Sequence, residues 1–157
     1  MRFHLSALAI GGAMATAPMA ALAGDPAAGE AAFSQCQACH VVQNEAGETL
    51  AGRNARQGPN LYGVVGRQAG TVEGFRYGPS IVEAGEEGLV WDEESMVAYL
   101  GNPNAFLRDF LDNPRARGNM AFQVRNEDQA RDLYAFLATF SAAEDDAEED
   151  EGEDAEG

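Results

Sequence analysis

One short segment holds most of the residues that could bind a cofactor. Cys36, Cys39 and His40 form a C-x-x-C-H motif, and the chain has no other cysteine. Two thiols separated by two residues can add to the two vinyl groups of one haem, and the residue that follows can offer its imidazole to the iron. The motif therefore predicts one covalently attached haem c per chain, with His40 as an axial ligand.

Paired cysteines are also found in redox sites, structural disulfides and zinc sites. A thioredoxin-like redox pair belongs to a βαβ context, whereas the sequence around Cys36 and Cys39 has a helical pattern. A zinc site needs further Cys or His ligands, and beyond residue 40 the chain has neither. We therefore favour haem attachment over these three alternatives.

A second axial ligand can be sought by elimination. Beyond the motif there is no other His or Lys, so the usual protein ligands that are left are Met and Tyr. Met96 falls at core spacing in a predicted helix, where methionine commonly fills space. Met120 lies in a segment without helical pattern that could bring its sulfur to the iron. We expect Met120 to be the ligand; the alternative is an iron without a sixth protein ligand.

The surrounding elements are predicted to be helical, with long connections and no convincing strand. Residues 41–90 are rich in glycine and lack periodicity over a length that is unusual for a loop, so we expect the cofactor to organise them. The predicted helices begin at Asp25-Pro26, at Pro79 (ending at Gly85), at Asp92, at Asn102-Pro103 and at Asn126, the last one carrying Leu133 to Phe140.

The two ends of the chain differ from its centre in composition. Residues 1–23 have a basic start, an apolar stretch and an Ala-x-Ala site, which predicts a secretory signal peptide and a periplasmic protein. Residues 142–157 contain ten acids and no base, which predicts a disordered acidic tail. The domain is then residues 24–141.

A net charge of −16 argues against nucleic-acid binding, and the lack of a second long apolar run argues against a membrane span.

Several further motifs, in this order, resemble the class I c-type cytochromes, and more narrowly the bacterial soluble cytochrome c2 and cytochrome c-550 group. The resemblance covers about residues 24–140 and implies an all-α cytochrome c fold, with four to five helices and long loops around one haem. Its motifs are Gly24 through Phe33, the haem motif, Gly58 through Arg67, Trp91 through Leu100, Asn102-Pro103, the Met120 loop and the Leu133–Leu137 helix.

The resemblance implies roles for individual residues. Gly29 and Phe33 are expected to pack against Leu133 and Tyr134 where the first and last helices cross. The carbonyl of Pro59 is expected to accept the ring N–H of the haem-ligating histidine, which fixes the tautomer. The other expected haem contacts are Arg67, Tyr77 and Trp91, which bond or screen a propionate, and Tyr99, which lies beside the Met120 sulfur.

The resemblance also implies a function, that of a monomeric one-electron carrier rather than an enzyme. Its expected partners are a cytochrome bc1 complex and a terminal oxidase, photosynthetic reaction centre or periplasmic dehydrogenase or reductase. The alternatives are a haem protein with an open iron site, peroxidase-like or gas-binding, and an acidic interaction module. Because the chain has no lysine, arginines are expected to form the docking face: Arg53, Arg56, Arg108, Arg115, Arg117 and Arg125.

Overall fold

The computed structural model describes residues 24–141. The predicted signal peptide and acidic tail lie outside these residues. Within them the chain forms five helices and one short hairpin, and none of these helices has the length and apolar character that a bilayer crossing requires. In chain order the elements are α1 (Pro26–Phe33), β1 (Val41–Gln43), β2 (Thr49–Gly52), α2 (Pro79–Glu86), α3 (Glu93–Gly101), α4 (Pro103–Phe110) and α5 (Glu127–Ala138).

The helices begin where the sequence predicts. Asp25 caps α1 by accepting from the Ala27 N–H at 2.9 Å, and Asn126 caps α5 in the same way. Such caps satisfy N–H groups that have no partner within the helix. The end of α5 differs from the prediction: the helix stops at Ala138, so Phe140 lies beyond it and its ring packs edge-on against Phe136 at 5.1 Å.

Helices α1 and α5 cross at a glycine. A Cβ on Gly29 would overlap the backbone of Asp132, so only glycine lets the two helices approach this closely. Phe33 packs against Phe136 with ring centroids 5.5 Å apart. The predicted crossing is therefore present. Gly29 meets Asp132 and Phe136 there, while Phe33 shares one apolar group with Leu133 and Tyr134, as expected. We call this group the crossing cluster; its buried members are Ala32, Phe33, Val42, Val64, Met96, Val124, Ala130, Leu133, Phe136 and Leu137.

The expectation of no strand is wrong for residues 41–52. Strands β1 and β2 pair antiparallel, with Val42 opposite Ala51. The turn between them is built by Asn44, whose side chain accepts the Glu48 N–H at 2.9 Å, and by Gly47, which has a φ of 81°. Asparagine and glycine each favour turns, but here they are not adjacent, and strands of three and four residues are too short for an alternating pattern to be recognised.

A second apolar cluster lies between α2, α4 and the loops beside them. The prediction that Gly85 ends α2 is wrong, because the helix continues to Glu86. Gly85 instead packs on the backbone of Ala69, which a Cβ would overlap. We call this second group the loop-side cluster; its buried members are Ala69, Ile81, Ala84, Leu89, Leu107 and Ala116.

Candidate haem-binding site

The C-x-x-C-H motif lies on turns that continue directly from α1. The N–H of Cys36 donates to the Phe33 carbonyl at 2.8 Å, and the N–H of His40 donates to the Cys36 carbonyl at 2.9 Å. These helix-like bonds bring the two cysteines and the histidine into one short stretch of surface. Cys36 is half-buried, Cys39 is exposed, and both are free thiols.

The electrostatics of the cysteines are unlike those of a redox pair. Burial, and to a smaller extent the neighbouring Cys39, raise the pKa of the Cys36 thiol to about 11. Redox-active C-x-x-C pairs depend on a lowered thiol pKa. A zinc site finds no support either, since residues 24–141 contain no group of three or more His, Cys, Asp or Glu side chains placed to hold a metal ion.

His40 is held with one ring nitrogen occupied. Its Nδ1 lies 2.9 Å from the carbonyl oxygen of Pro59, and because that oxygen can only accept, Nδ1 carries the proton. Nε2 is then left with a lone pair for a metal. Burial lowers the pKa of His40, which favours the neutral ring that can ligate. The ring lies directly against Gly58, where a Cβ would overlap it.

The loop that carries Pro59 is fixed by Asn60 and Arg67. Asn60 Oδ1 accepts the Gln43 N–H at 3.0 Å, and Asn60 Nδ2 donates to the Gln43 carbonyl at 2.6 Å, which ties the loop to β1. The Arg67 guanidinium donates to the carbonyls of Tyr62 at 2.7 Å and Asn60 at 3.1 Å. Sequence reasoning missed Asn60 as a positioning residue; its place directly after the proline was the available signal.

The structure brings Arg67, Tyr77 and Trp91 into one region. Burial lowers the pKa of Arg67, and the nearby Tyr77 opposes that shift. Burial raises the pKa of Tyr77, opposed by a bond to the Val72 backbone and by Arg67. The backbone N–H of Trp91 donates to the Arg67 carbonyl at 3.0 Å. The guanidinium and the phenol thus lie close together, and Trp91, which is joined to Arg67 through the backbone, packs against both clusters.

Tyr99 packs against the loop-side cluster, near the loop that carries Met120. Tyr99 packs edge-on against Trp91, with ring centroids 4.9 Å apart, and burial raises its pKa to about 12, so it keeps its proton. Its hydroxyl lies against Gly118, two residues before the half-buried, non-helical Met120. Met96, by contrast, is 5% exposed in the crossing cluster, which confirms it as a core residue.

The donor chemistry of these residues fits a covalently held haem. The site offers two adjacent thiols, an imidazole whose tautomer is fixed by a carbonyl, and a thioether in a separate loop. Gly58 leaves space for the His40 ring, and the Cβ of any larger residue would overlap that ring. Imidazole with thioether is the ligand pair of cytochromes c.

Comparison with known proteins decides the family. No family model matches the sequence. Cytochrome c2 of Rhodovulum adriaticum is 55% identical over 123 residues, which cover 78% of this chain and 98% of the relative. The chain belongs to the cytochrome c2 family. Cytochrome c2 of Cereibacter sphaeroides is 49% identical over 87% of this chain and 95% of its own length. Members of this family are electron-transfer proteins rather than enzymes, and they carry a covalently attached c-type haem.

Solved structures confirm the predicted all-α cytochrome c fold. The structure of cytochrome c2 from Rhodobacter sphaeroides superimposes with a TM-score of 0.74 at 49% identity, over 75% of this chain and 97% of that one. Cytochrome c-550 from Paracoccus versutus gives a TM-score of 0.70 at 41% identity, over 75% and 98% of the two chains. The hairpin of residues 41–52 is a small addition to this helical architecture.

Proposed function

We propose that this cytochrome c2 is a periplasmic one-electron carrier with a single haem c. Its donor would be a cytochrome bc1 complex, and its acceptor a terminal oxidase, a photosynthetic reaction centre or a periplasmic redox enzyme. The observation that carries the proposal is the fixed His40 ring, whose Nδ1 is held by the Pro59 carbonyl at 2.9 Å while Nε2 is left for iron. The haem would supply the Fe(III)/Fe(II) couple, which takes up and gives back one electron without binding a substrate.

The residues of the motif would hold the cofactor permanently. Cys36 and Cys39 would each hold it through a thioether, formed when the S–H adds across one vinyl group, so that no atom is lost. His40 and Met120 would be the protein ligands of the iron. With both ligands supplied by the protein, no site would remain for a small ligand, which suits a carrier rather than an oxygen-activating enzyme. The bond from Pro59 orients the imidazole and raises its basicity.

The aromatic residues would keep the site apolar and free of proton transfer. Tyr99 remains a neutral phenol across the physiological range because burial raises its pKa to about 12. Trp91 and Tyr99 pack edge to face. Arg67 and Tyr77 would screen a haem propionate: Arg67 supplies a positive charge there, and two of its five N–H groups are held by backbone carbonyls.

The proposed processing site lies directly before residues that contact α5. A Cβ on Gly24 would overlap the Arg131 carbonyl, so this residue is packed against α5. The Asp25 N–H donates to Asp132 Oδ1 at 2.7 Å. A chain that begins at residue 24 therefore has its first two residues in contact with α5. Intact-mass measurement of protein from the periplasmic fraction should give residues 24–157 plus one haem.

Electron-transfer kinetics test the function. The reduced holoprotein should be oxidised by its acceptor in a single one-electron phase whose rate depends on ionic strength, because exposed charges guide docking. A second sample is incubated with carbon monoxide or azide at a concentration equal to that of the protein. Neither ligand should bind to the iron. Tight ligand binding together with peroxide turnover would instead establish the open-iron function.

A further inference from the structure

A side-chain hydrogen bond holds the chain two residues before Met120. The loop that carries Met120 joins α4 to α5 and spans residues 111–126. Within this loop the Gly118 N–H donates to Asn104 Oδ1 at 3.0 Å, in a partly buried bond. Because Asn104 lies in the first turn of α4, the bond joins the loop to a helix that precedes it in the chain.

The Asn104 side chain can make this bond because another residue caps its helix. Asn102 Oδ1 accepts the Ala105 N–H at 3.0 Å, which is the usual contact of an N-cap. The first turn of α4 also gives a firm support, because Pro103 and Leu107, on either side of Asn104, have fully buried side chains. Asn104 therefore presents its acceptor from an anchored part of the helix.

Met120 lies in the longest stretch of this loop without a backbone hydrogen bond. In the part of the chain that the structure describes, no residue forms a hydrogen bond with the backbone of residues 119–123. The nearest bonds on the two sides are that of Gly118 and that of Val124, whose N–H donates to the Leu100 carbonyl at 2.8 Å. These two bonds are the fixed points between which Met120 is carried.

The two fixed points differ in what supports them. The bond of Val124 has a backbone acceptor, and the Val124 side chain is buried in the crossing cluster. Gly118 has no side chain to pack, although its backbone lies against the Tyr99 hydroxyl and Leu107. The fixed point nearer to Met120 thus depends on the side chain of Asn104, which a substitution can remove.

A second side-chain bond holds the loop one residue earlier. The Arg117 N–H donates to the Ser80 hydroxyl at 3.2 Å. This bond is longer than that of Gly118 and is exposed, so water can replace it at little cost, whereas a partly buried N–H that loses its acceptor is left unsatisfied. Of the two bonds, we expect that of Asn104 to restrain the loop more strongly.

We propose that Asn104 is a positioning residue for Met120: it holds the loop on α4 so that the thioether stays available to the iron. The inference rests on the proposed function, in which Met120 is an axial ligand. An added small molecule competes with the thioether for the same coordination position, so each opening of the loop permits exchange. Asn104 would therefore slow the loss of the sixth ligand and keep the carrier closed to small molecules.

Hydrogen exchange of the reduced holoprotein tests the bond itself. Asn104→Ala removes the acceptor, and alanine is well tolerated in a helix. The Gly118 amide should then exchange at least about fivefold faster, whereas the Val124 amide, which has a backbone acceptor, should keep its rate. Asn104→Asp retains an Oδ acceptor and should restore the protection of Gly118. Asp109→Ala, at an exposed position of the same helix, is the control and should leave the Gly118 rate unchanged.

The rate of imidazole binding to the oxidised holoprotein tests the consequence for Met120. At saturating imidazole this rate is set by release of the thioether, so it reports how often the loop opens. We expect it to rise about fivefold in Asn104→Ala and to return to the wild-type value in Asn104→Asp. Ser80→Ala, which removes the exposed bond, should raise it less than about twofold.

Three results would overturn the inference and leave the proposed function intact. An unchanged Gly118 exchange rate in Asn104→Ala would show that the bond does not hold the loop. Faster exchange with an unchanged imidazole rate would show that this end of the loop does not restrain Met120. Equal acceleration at Gly118, Val124 and Leu133 would show a general loss of stability. An oxidised wild-type protein without the absorption band of a thioether–iron bond would instead refute Met120 as a ligand, and the inference with it.

Discussion

The crossing cluster and the loop-side cluster are stabilised in different ways. In the crossing cluster, two helices meet through a glycine and a large area of apolar side chains, with Phe33 and Phe136 in ring contact at 5.5 Å. In the loop-side cluster, irregular segments are fixed by single contacts: Gln68 Nε2 donates to the Gly85 carbonyl at 2.8 Å, and the Ala69 N–H donates to the Leu89 carbonyl at 2.9 Å. From this difference we expect the crossing cluster to keep its packing without the cofactor and the loop-side cluster to depend on it.

Removing the haem should produce the largest difference in stability between the crossing cluster and the loop-side cluster. The variant Cys36→Ser/Cys39→Ser cannot form either thioether. Measured by hydrogen exchange, the amides of Leu133 and Leu137 in α5 should stay protected. The amides of Ala69 and Leu89, which are hydrogen-bonded in the loop-side region, should lose most of their protection. Equal loss, or equal retention, in both regions would remove the distinction between them.

Gly29→Val should destabilise the crossing half. Its side chain would overlap the backbone of Asp132, which cannot move away as a flexible side chain would. We expect the free energy of unfolding of the holoprotein to fall by about 3 kcal/mol, measured by chemical denaturation. Ala28→Val, at an exposed position in the same helix, is the matched control and should change stability by less than about 0.7 kcal/mol. Similar losses in both variants would argue against a close helix crossing.

Gly58→Ala should disturb the histidine side of the site. The new Cβ would overlap the His40 ring and break its alignment with Pro59. We expect a loss of about 2 kcal/mol in stability, together with a shifted reduction potential and an altered optical spectrum. Gly101→Ala, whose added Cβ would meet no atom within 4 Å, is the control and should leave the reduction potential and the optical spectrum unchanged. A normal spectrum in Gly58→Ala would contradict the proposed ring position.

Tyr99 should limit stability at alkaline pH. Its pKa is raised from the ordinary value of 10 to about 12 in the folded protein, so the unfolded chain loses this proton first. The resulting stabilisation is complete below pH 10 and is lost as the pH rises toward 12. We expect Tyr99→Phe to lessen the fall in unfolding free energy between pH 9 and 11 by on the order of 1 kcal/mol. An unchanged alkaline slope in this variant would contradict burial of the phenol.

Much of the helical frame was predictable because its signals are local. Asp25 before Pro26, and Asn126 before an acidic first turn, mark helix starts through contacts within three residues. The C-x-x-C-H motif is similarly self-contained. By contrast, Gly85 carries the sequence signature of a helix end, yet it lies within α2 because Ala69, sixteen residues away, packs against it. Long-range contacts of this kind are not encoded in the neighbouring residues.

The surface charges show the same limit. The predicted docking face groups Arg108 with Arg115 and Arg117, and the Arg108 Nε does donate to the carbonyl of Ala116, which lies between the other two, at 3.3 Å. It included Arg125, which lies in the groove between α3 and α5 among glutamates. Which arginines share a surface depends on how the loops fold over the domain, and the sequence order of the arginines does not reveal this.

The optical spectrum of the purified holoprotein tests the central claim most directly, since that claim is axial ligation of a covalent haem by His40 and Met120. The oxidised protein should show the weak absorption band of a thioether–iron bond at the red end of the spectrum, and Met120→Ala should abolish it and open the iron to added imidazole. Met96→Leu, at the buried methionine, should retain the band. A wild-type spectrum without this band, or one that Met120→Ala leaves unchanged, would contradict the account.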